Sequence, residues 1–175
     1  MPTLGGPVGA CALLLALGGA TKVWRPDNTV RALRTLRVPA GSVSVRVLAL
    51  AEMALGLAVV VLGGPLPALL MAVSYLGFTG FVVLAMVRKA PLSSCGCFGT
   101  PDTPPTVTHI LVTLAAAGVS AVAVARPVDP LLAGLGSQPL AGVPFVVLTG
   151  CCVWLAYTAL AVLPRTTSYI GRRDQ

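Results

Sequence analysis

The stretch VSVRVLALAEMALGLAVVVLGGPLPALLMAVSYLGFTGFVVLAMV, Val43 to Val87, decides the fold. It holds two apolar runs, Val43–Leu62 and Leu66–Val87, each long enough to cross a bilayer as a helix, which takes about 20 residues. Between them stands Gly63-Gly64-Pro65-Leu66-Pro67, a turn without charge. So short a connection makes the two helices an antiparallel hairpin. Gly56 on one, with Gly77 and Gly80 on the other, predicts a close backbone approach between them, as small residues allow in membranes.

Working outward, three more runs have the same character. Leu4–Ala20 precedes the hairpin. It lacks the basic residues that open a signal peptide, so a retained first helix is expected. Residues 104–125 and 140–163 follow the hairpin. In the segment Thr103-Pro104-Pro105, Thr103 suits an N-cap and Pro104 a first helical residue. The composition agrees. Of 175 residues 56% are hydrophobic and 10% charged, and the mean hydropathy is +0.91. These values exclude an ordinary soluble globule and a disordered chain. The fold class is therefore all-α, one integral membrane domain built as a bundle of about five spans.

Between the first two spans, Thr21–Ser42 is polar. Leu33, Arg34, Leu36 and Arg37 have helical spacing, which predicts a short interfacial helix with leucines toward lipid and arginines toward phosphates. The net charge is +7. Most of it borders the apolar runs, and no aromatic residues interleave it as in chains that stack bases. It is read as topology-setting charge, with no nucleic-acid partner. Lys22, Arg25, Arg31, Arg34, Arg37, Arg88, Lys89, Arg165, Arg172 and Arg173 fall on one side, and Arg126 alone on the other. The basic side is cytoplasmic. The N-terminus is expected outside and the C-terminus inside a bacterial-type plasma membrane.

Chemistry is expected first at Cys95-Gly96-Cys97, in the loop between the third and fourth spans. Two cysteines around one glycine can close a small, strained disulfide ring of the labile kind. Arg88, Lys89 and the N-terminus of the next helix favour thiolate. Soft-metal binding by Cys95, Cys97 and His109 is the alternative, and inert loop cysteines the bland reading. Glu52, the one acid within a span, is functional by default and is expected either protonated or paired. Tyr75, Thr79 and His109 are its candidate partners, and a packing role stands beside the functional one. His109, the sole histidine, is a candidate thiol base or metal ligand, or a structural hydrogen-bonder. Cys11, Cys151 and Cys152 lie in apolar runs and are read as small packing residues. No cofactor motif is present.

Three features together resemble a known family: Lys22-Val23 with Pro26 and Leu36-Arg37-Val38-Pro39, then Leu50-Ala51-Glu52-Met53-Ala54-Leu55-Gly56, then Cys95-Gly96-Cys97-Phe98-Gly99. They resemble the MauE family of methylamine utilisation, within the wider DoxX-like membrane proteins. The resemblance implies a small helical-bundle protein tied to thiol redox work, a possible thiol–disulfide oxidoreductase component. It also implies a thioredoxin-like partner and a disulfide-containing client, as in maturation of the methylamine dehydrogenase small subunit. By this resemblance Cys95 and Cys97 are the redox pair and Glu52 the intramembrane acid; His109, from its nearness to the cysteine loop, is expected to manage protons with Glu52. A small transporter or soft-metal-ion carrier using the same cysteines and Glu52 is the rival reading. Disulfides form outside the cytoplasm, whereas the charge count puts Cys95 inside. Either reducing equivalents cross the membrane or the topology is inverted; the charge count is the reading kept.

Overall fold

The computed structural model describes residues 4–88, 106–132, 147, 149–155 and 158. Five helices run through them in order: α1 (Gly5–Trp24), α2 (Pro26–Thr35), α3 (Ser42–Leu62), α4 (Pro65–Val87) and α5 (Val107–Ala125). Four of these, α1, α3, α4 and α5, are long and apolar enough to cross a membrane. The chain is a multi-pass helical membrane protein. The expected fifth span, 140–163, lies largely outside the described residues, and 149–155 within it are helical.

The first helix is longer than its apolar run. It passes Ala20 and continues to Trp24, because the breaker is Pro26 and not the first polar residue. Thr21 keeps its hydroxyl satisfied by donating to the Gly18 carbonyl at 2.9 Å. Pro26 then opens α2 at its first turn, where its missing N–H costs nothing.

The short helix after the first span forms as expected, but its leucines do not all turn to lipid. Leu36 is buried with Ala32 against Ala85 of α4, with Phe81 and Leu84 beside them. The Arg88 guanidinium at the end of α4 donates to the Leu36 carbonyl at 2.9 Å. An open carbonyl at a helix end within reach of a cation explains the inward turn. Arg31, Arg34 and Arg37 remain exposed. Arg37 ends the helix in the left-handed region, at φ 61°, and the Val38 N–H returns to the Leu33 carbonyl, as in a Schellman stop.

The glycines pack differently from expectation. Gly77 and Gly80 of α4 have open space where a Cβ would stand. Gly56 turns toward α1, where an added Cβ would lie 2.5 Å from the Ala12 carbonyl oxygen. Gly19 of α1 is the reciprocal case, 2.5 Å from the Ala49 carbonyl oxygen and 2.9 Å from the Met53 nitrogen. The close approach therefore joins α1 to α3, antiparallel, because both present small residues on the facing stripe. The other strongly packed pair is α4 with α5. Consecutive α3 and α4 touch sparingly, and the bundle consists of two helix pairs with a seam between them.

The turn between α3 and α4 requires glycine. Gly63 has φ 63° and ψ −154°, a region open almost only to glycine. Its missing Cβ would sit 2.5 Å from the Val128 carbonyl oxygen, which accepts the Gly64 N–H at 3.1 Å. Gly63→Ala is expected to cost about 1–3 kcal/mol, read as a fall in the detergent-solubilised unfolding midpoint. Gly64→Ala should cost less, since its Cβ meets nothing within 4 Å. Equal effects would mean that φ alone, and not the Val128 contact, sets the requirement.

Candidate functional site

An acid inside a span needs a partner, and Glu52 has one from an unexpected element. The Lys22 ammonium donates to Glu52 Oε2 at 2.6 Å, with both side chains 4% exposed. Lys22 belongs to the last turn of α1 and Glu52 lies near the middle of α3. The α1–α3 approach brings them together. Gly19 and Lys22 are three residues apart, Glu52 and Gly56 four, so each charge shares a helix face with the glycine that permits contact.

This overturns two expectations. Lys22 is no interfacial cation, and leaves the tally of topology-setting charge. The candidate partners Tyr75 and Thr79 are engaged elsewhere. Tyr75 Oη donates to the Cys11 carbonyl at 2.7 Å, crossing from α4 to α1. The Thr79 hydroxyl donates to Thr113 Oγ1 at 2.8 Å, joining α4 to α5. A lysine stem reaches across the α1–α3 contact to the carboxylate while its head stays out of lipid, which a phenol or hydroxyl on α4 does not replace.

The second pair of helices completes the surroundings. Lys22 Nζ stands 4.3 Å from the centroid of the Phe78 ring on α4, a cation–π distance. Tyr75 meets the same ring edge-on at 6.1 Å. His109 of α5 is 2% exposed, and its Nδ1 lies 2.8 Å from the Thr106 hydroxyl. Thr106 is extended and caps α5, so the helix starts at Val107 and not at Pro104. Thr103, Pro104 and Pro105 lie outside the described residues. Starting there puts His109 in the first turn, where its ring reaches back to the hydroxyl of Thr106.

Lys22, Glu52, Tyr75, Phe78, His109 and Thr113 share one cavity of about 40 Å³ in the seam. That is room for at most a few waters, since one water needs about 10–15 Å³. The site is a buried cation and anion, an aromatic face, an imidazole and hydroxyls, supplied by all four long helices. Such a set can hold and pass a proton. Among the described residues, no group of three His, Cys, Asp or Glu is placed to hold a metal ion.

Two of the expected site residues, Glu52 and His109, thus line one cavity. Cys95 and Cys97 lie outside the described residues, and with them the alternative metal set Cys95, Cys97 and His109. Cys11 is buried, whereas Cys151 and Cys152 are helical and exposed. The residue that sequence reasoning missed is Lys22. A signal was available: Leu15, Gly18, Gly19 and Lys22 continue one helical stripe.

Neither a curated protein nor a solved structure matches the chain. One family model does, that of methylamine utilisation protein MauE, over residues 4–126. That span takes in α1 to α5 entire. The family model covers well over half of the sequence, and the chain belongs to the MauE family.

Proposed function

We propose that this membrane protein carries out thiol–disulfide exchange through Cys95 and Cys97, with a thioredoxin-like partner, in support of disulfide formation in client proteins. The supporting observation is the polar cavity of Lys22, Glu52 and His109. His109 stands three residues beyond Thr106, where the chain returns from the Cys95–Cys97 segment into α5. The exchange balances within the two proteins. One thiolate attacks the partner's disulfide and forms a mixed disulfide, releasing one partner thiolate. The second cysteine then attacks the mixed disulfide, leaving the Cys95–Cys97 disulfide and a reduced partner; exchange of that disulfide with two client thiols leaves the client oxidised and returns Cys95 and Cys97 to thiols. Glu52 and His109 serve the protons that the thiols give up and the partner takes on.

Orientation is part of the same reading. Arg25, Arg31, Arg34, Arg37 and Arg88 are exposed toward one end of the bundle, and Arg126 toward the other. Cations on short loops mark the cytoplasmic side, so the exchange is proposed at that face of a plasma membrane.

Differential thiol trapping in intact cells tests this, in a Cys151→Ser/Cys152→Ser background so that the signal comes from the pair. A permeant and an impermeant maleimide are applied with and without reductant. A partly oxidised pair that becomes fully reactive after reduction is expected, with a mixed disulfide accumulating when one of Cys95 and Cys97, the resolving cysteine, is serine and none when the attacking one is. A pair always reduced, forming no mixed disulfide and protected only by added soft metal, would replace exchange with metal carriage.

A further inference from the structure

The seam contains the only ion pair among the described residues, and the pair is held unequally. Glu52 is near the middle of α3, enclosed on its own helix by Ala49 and Gly56 against α1. Lys22 is on the last turn of α1, two residues from Trp24, which is 87% exposed, and three from exposed Arg25. A lysine stem of four methylenes at a helix end has a short way to the interface, and snorkelling there is its ordinary behaviour. Among the described residues, the carboxylate and the Phe78 ring are what keep it inside.

We propose that Glu52 is a proton-binding site whose occupancy expels the Lys22 ammonium from the seam to the membrane face. When Glu52 takes a proton, the ammonium loses its counter-charge. The Phe78 face alone does not replace a carboxylate for a buried cation. The cheapest relief is for Lys22 to swing outward and for water to enter the cavity it leaves. Beside the ion pair, the polar links across the seam are the Tyr75–Cys11 hydrogen bond and the Lys22–Phe78 contact; the rest is apolar packing, Leu15 with Met71 and Ala116 among it, and a side-chain swing at the end of α1 leaves that packing in place. The groups facing Glu52 are Lys22 from α1, Tyr75 from α4 and His109 from α5. A proton on His109 would add positive charge and push Lys22 the same way, so the two sites must be separated by experiment. The proposal does not rest on the cysteine chemistry.

The sequence supplies a clean readout, because Lys22 and Lys89 are its two lysines. In a Lys89→Arg background, Lys22 is the sole lysine side chain and the N-terminal amine is an internal reference. Reductive methylation with formaldehyde and cyanoborohydride would be followed by mass spectrometry on protein in nanodiscs. The Lys22-to-N-terminus ratio is normalised to the SDS-unfolded chain at each pH. The normalised ratio is expected to be low at about pH 8 and to rise severalfold at about pH 5, toward the ratio of Glu52→Gln. Glu52→Gln should show the high ratio at both values, while a sharp gel-filtration peak confirms that it is folded. His109→Gln should keep the pH response. A ratio that stays low at both pH values and in folded Glu52→Gln overturns the proposal, because Lys22 has then shed its proton in place. Loss of the response in His109→Gln overturns it too, by assigning the proton to the imidazole. If Glu52→Gln does not fold, a flat ratio in the Lys89→Arg protein decides against it alone.

Discussion

Lys22→Met is expected to destabilise the folded bundle by about 3–5 kcal/mol, and Lys22→Met/Glu52→Leu to restore most of that loss. The asymmetry follows from burial. Both side chains are 4% exposed, so removing the ammonium strands a carboxylate in the seam, or forces it to take a proton, and either is costly. Removing both charges leaves apolar groups beside Leu15, Val112 and Ala116, which already line that cavity. The coupling between the sites is the quantity to measure, from a double-mutant cycle of reversible unfolding in mixed micelles. A coupling of several kcal/mol fits a dry, charged pair. A coupling under about 1 kcal/mol, the value for exposed pairs, would mean that water reaches the ions. If the double variant is as stable as the original yet fails in thiol exchange, the pair is kept for its chemistry and not for the fold.

Most of the architecture was legible because spans announce themselves by length and hydropathy, properties of contiguous sequence. Val43–Leu62 and Leu66–Val87 needed only about 20 predominantly apolar residues each, and α3 and α4 match them closely. Glu52 stood out for the same reason in reverse. What stayed hidden depended on which faces meet. Hydropathy falls at Thr21-Lys22, so the apolar run stops at Ala20, although the helix needs only a later breaker and a partner for one cation. Nor does proximity in sequence settle packing. The Gly63-Gly64 turn makes α3 and α4 neighbours along the chain, yet Gly56 faces α1. His109 is conspicuous in the sequence as the sole histidine near a helix start, but its shared cavity with Glu52 comes from helices far apart in the sequence.

The two missed facts are one fact. A lysine at the end of the first span and a glutamate in the middle of the next are each costly alone in hydrocarbon. They become compatible with the membrane only if their helices touch closely enough for a lysine to reach across. The small residues on α1 and α3 supply that closeness. The polar site therefore depends on packing that carries no polar group itself.

That dependence gives the second large effect. Gly56→Val is expected to destabilise the bundle by about 3 kcal/mol or more and to disconnect Lys22 from Glu52; overpacking alone accounts for about 1–3 kcal/mol. A Cβ at residue 56 would stand 2.5 Å from the Ala12 carbonyl oxygen and 3.0 Å from both the Ala16 nitrogen and Cβ. Backbone and a methyl group offer no rotamer to move away, so α1 must retreat from α3. The retreat stretches an ion pair now 2.6 Å long, which adds the cost of two poorly compensated charges to that of overpacking. Gly19→Val should behave alike, because it meets Ala49 and Met53 backbone atoms from the other side. Gly77→Ala and Gly80→Ala are the controls. Both open onto free space, and removing glycine from a helix interior should stabilise by about 0.5–1 kcal/mol. Unfolding midpoints of the four variants, with Lys22 methylation as the readout of the ion pair, separate the effects. Loss of stability in Gly56→Val with Lys22 still protected would show that the pair tolerates helix separation. Equal harm from Gly56→Val and Gly77→Ala would mean that α3 packs on α4 after all, as the hairpin connection alone suggested.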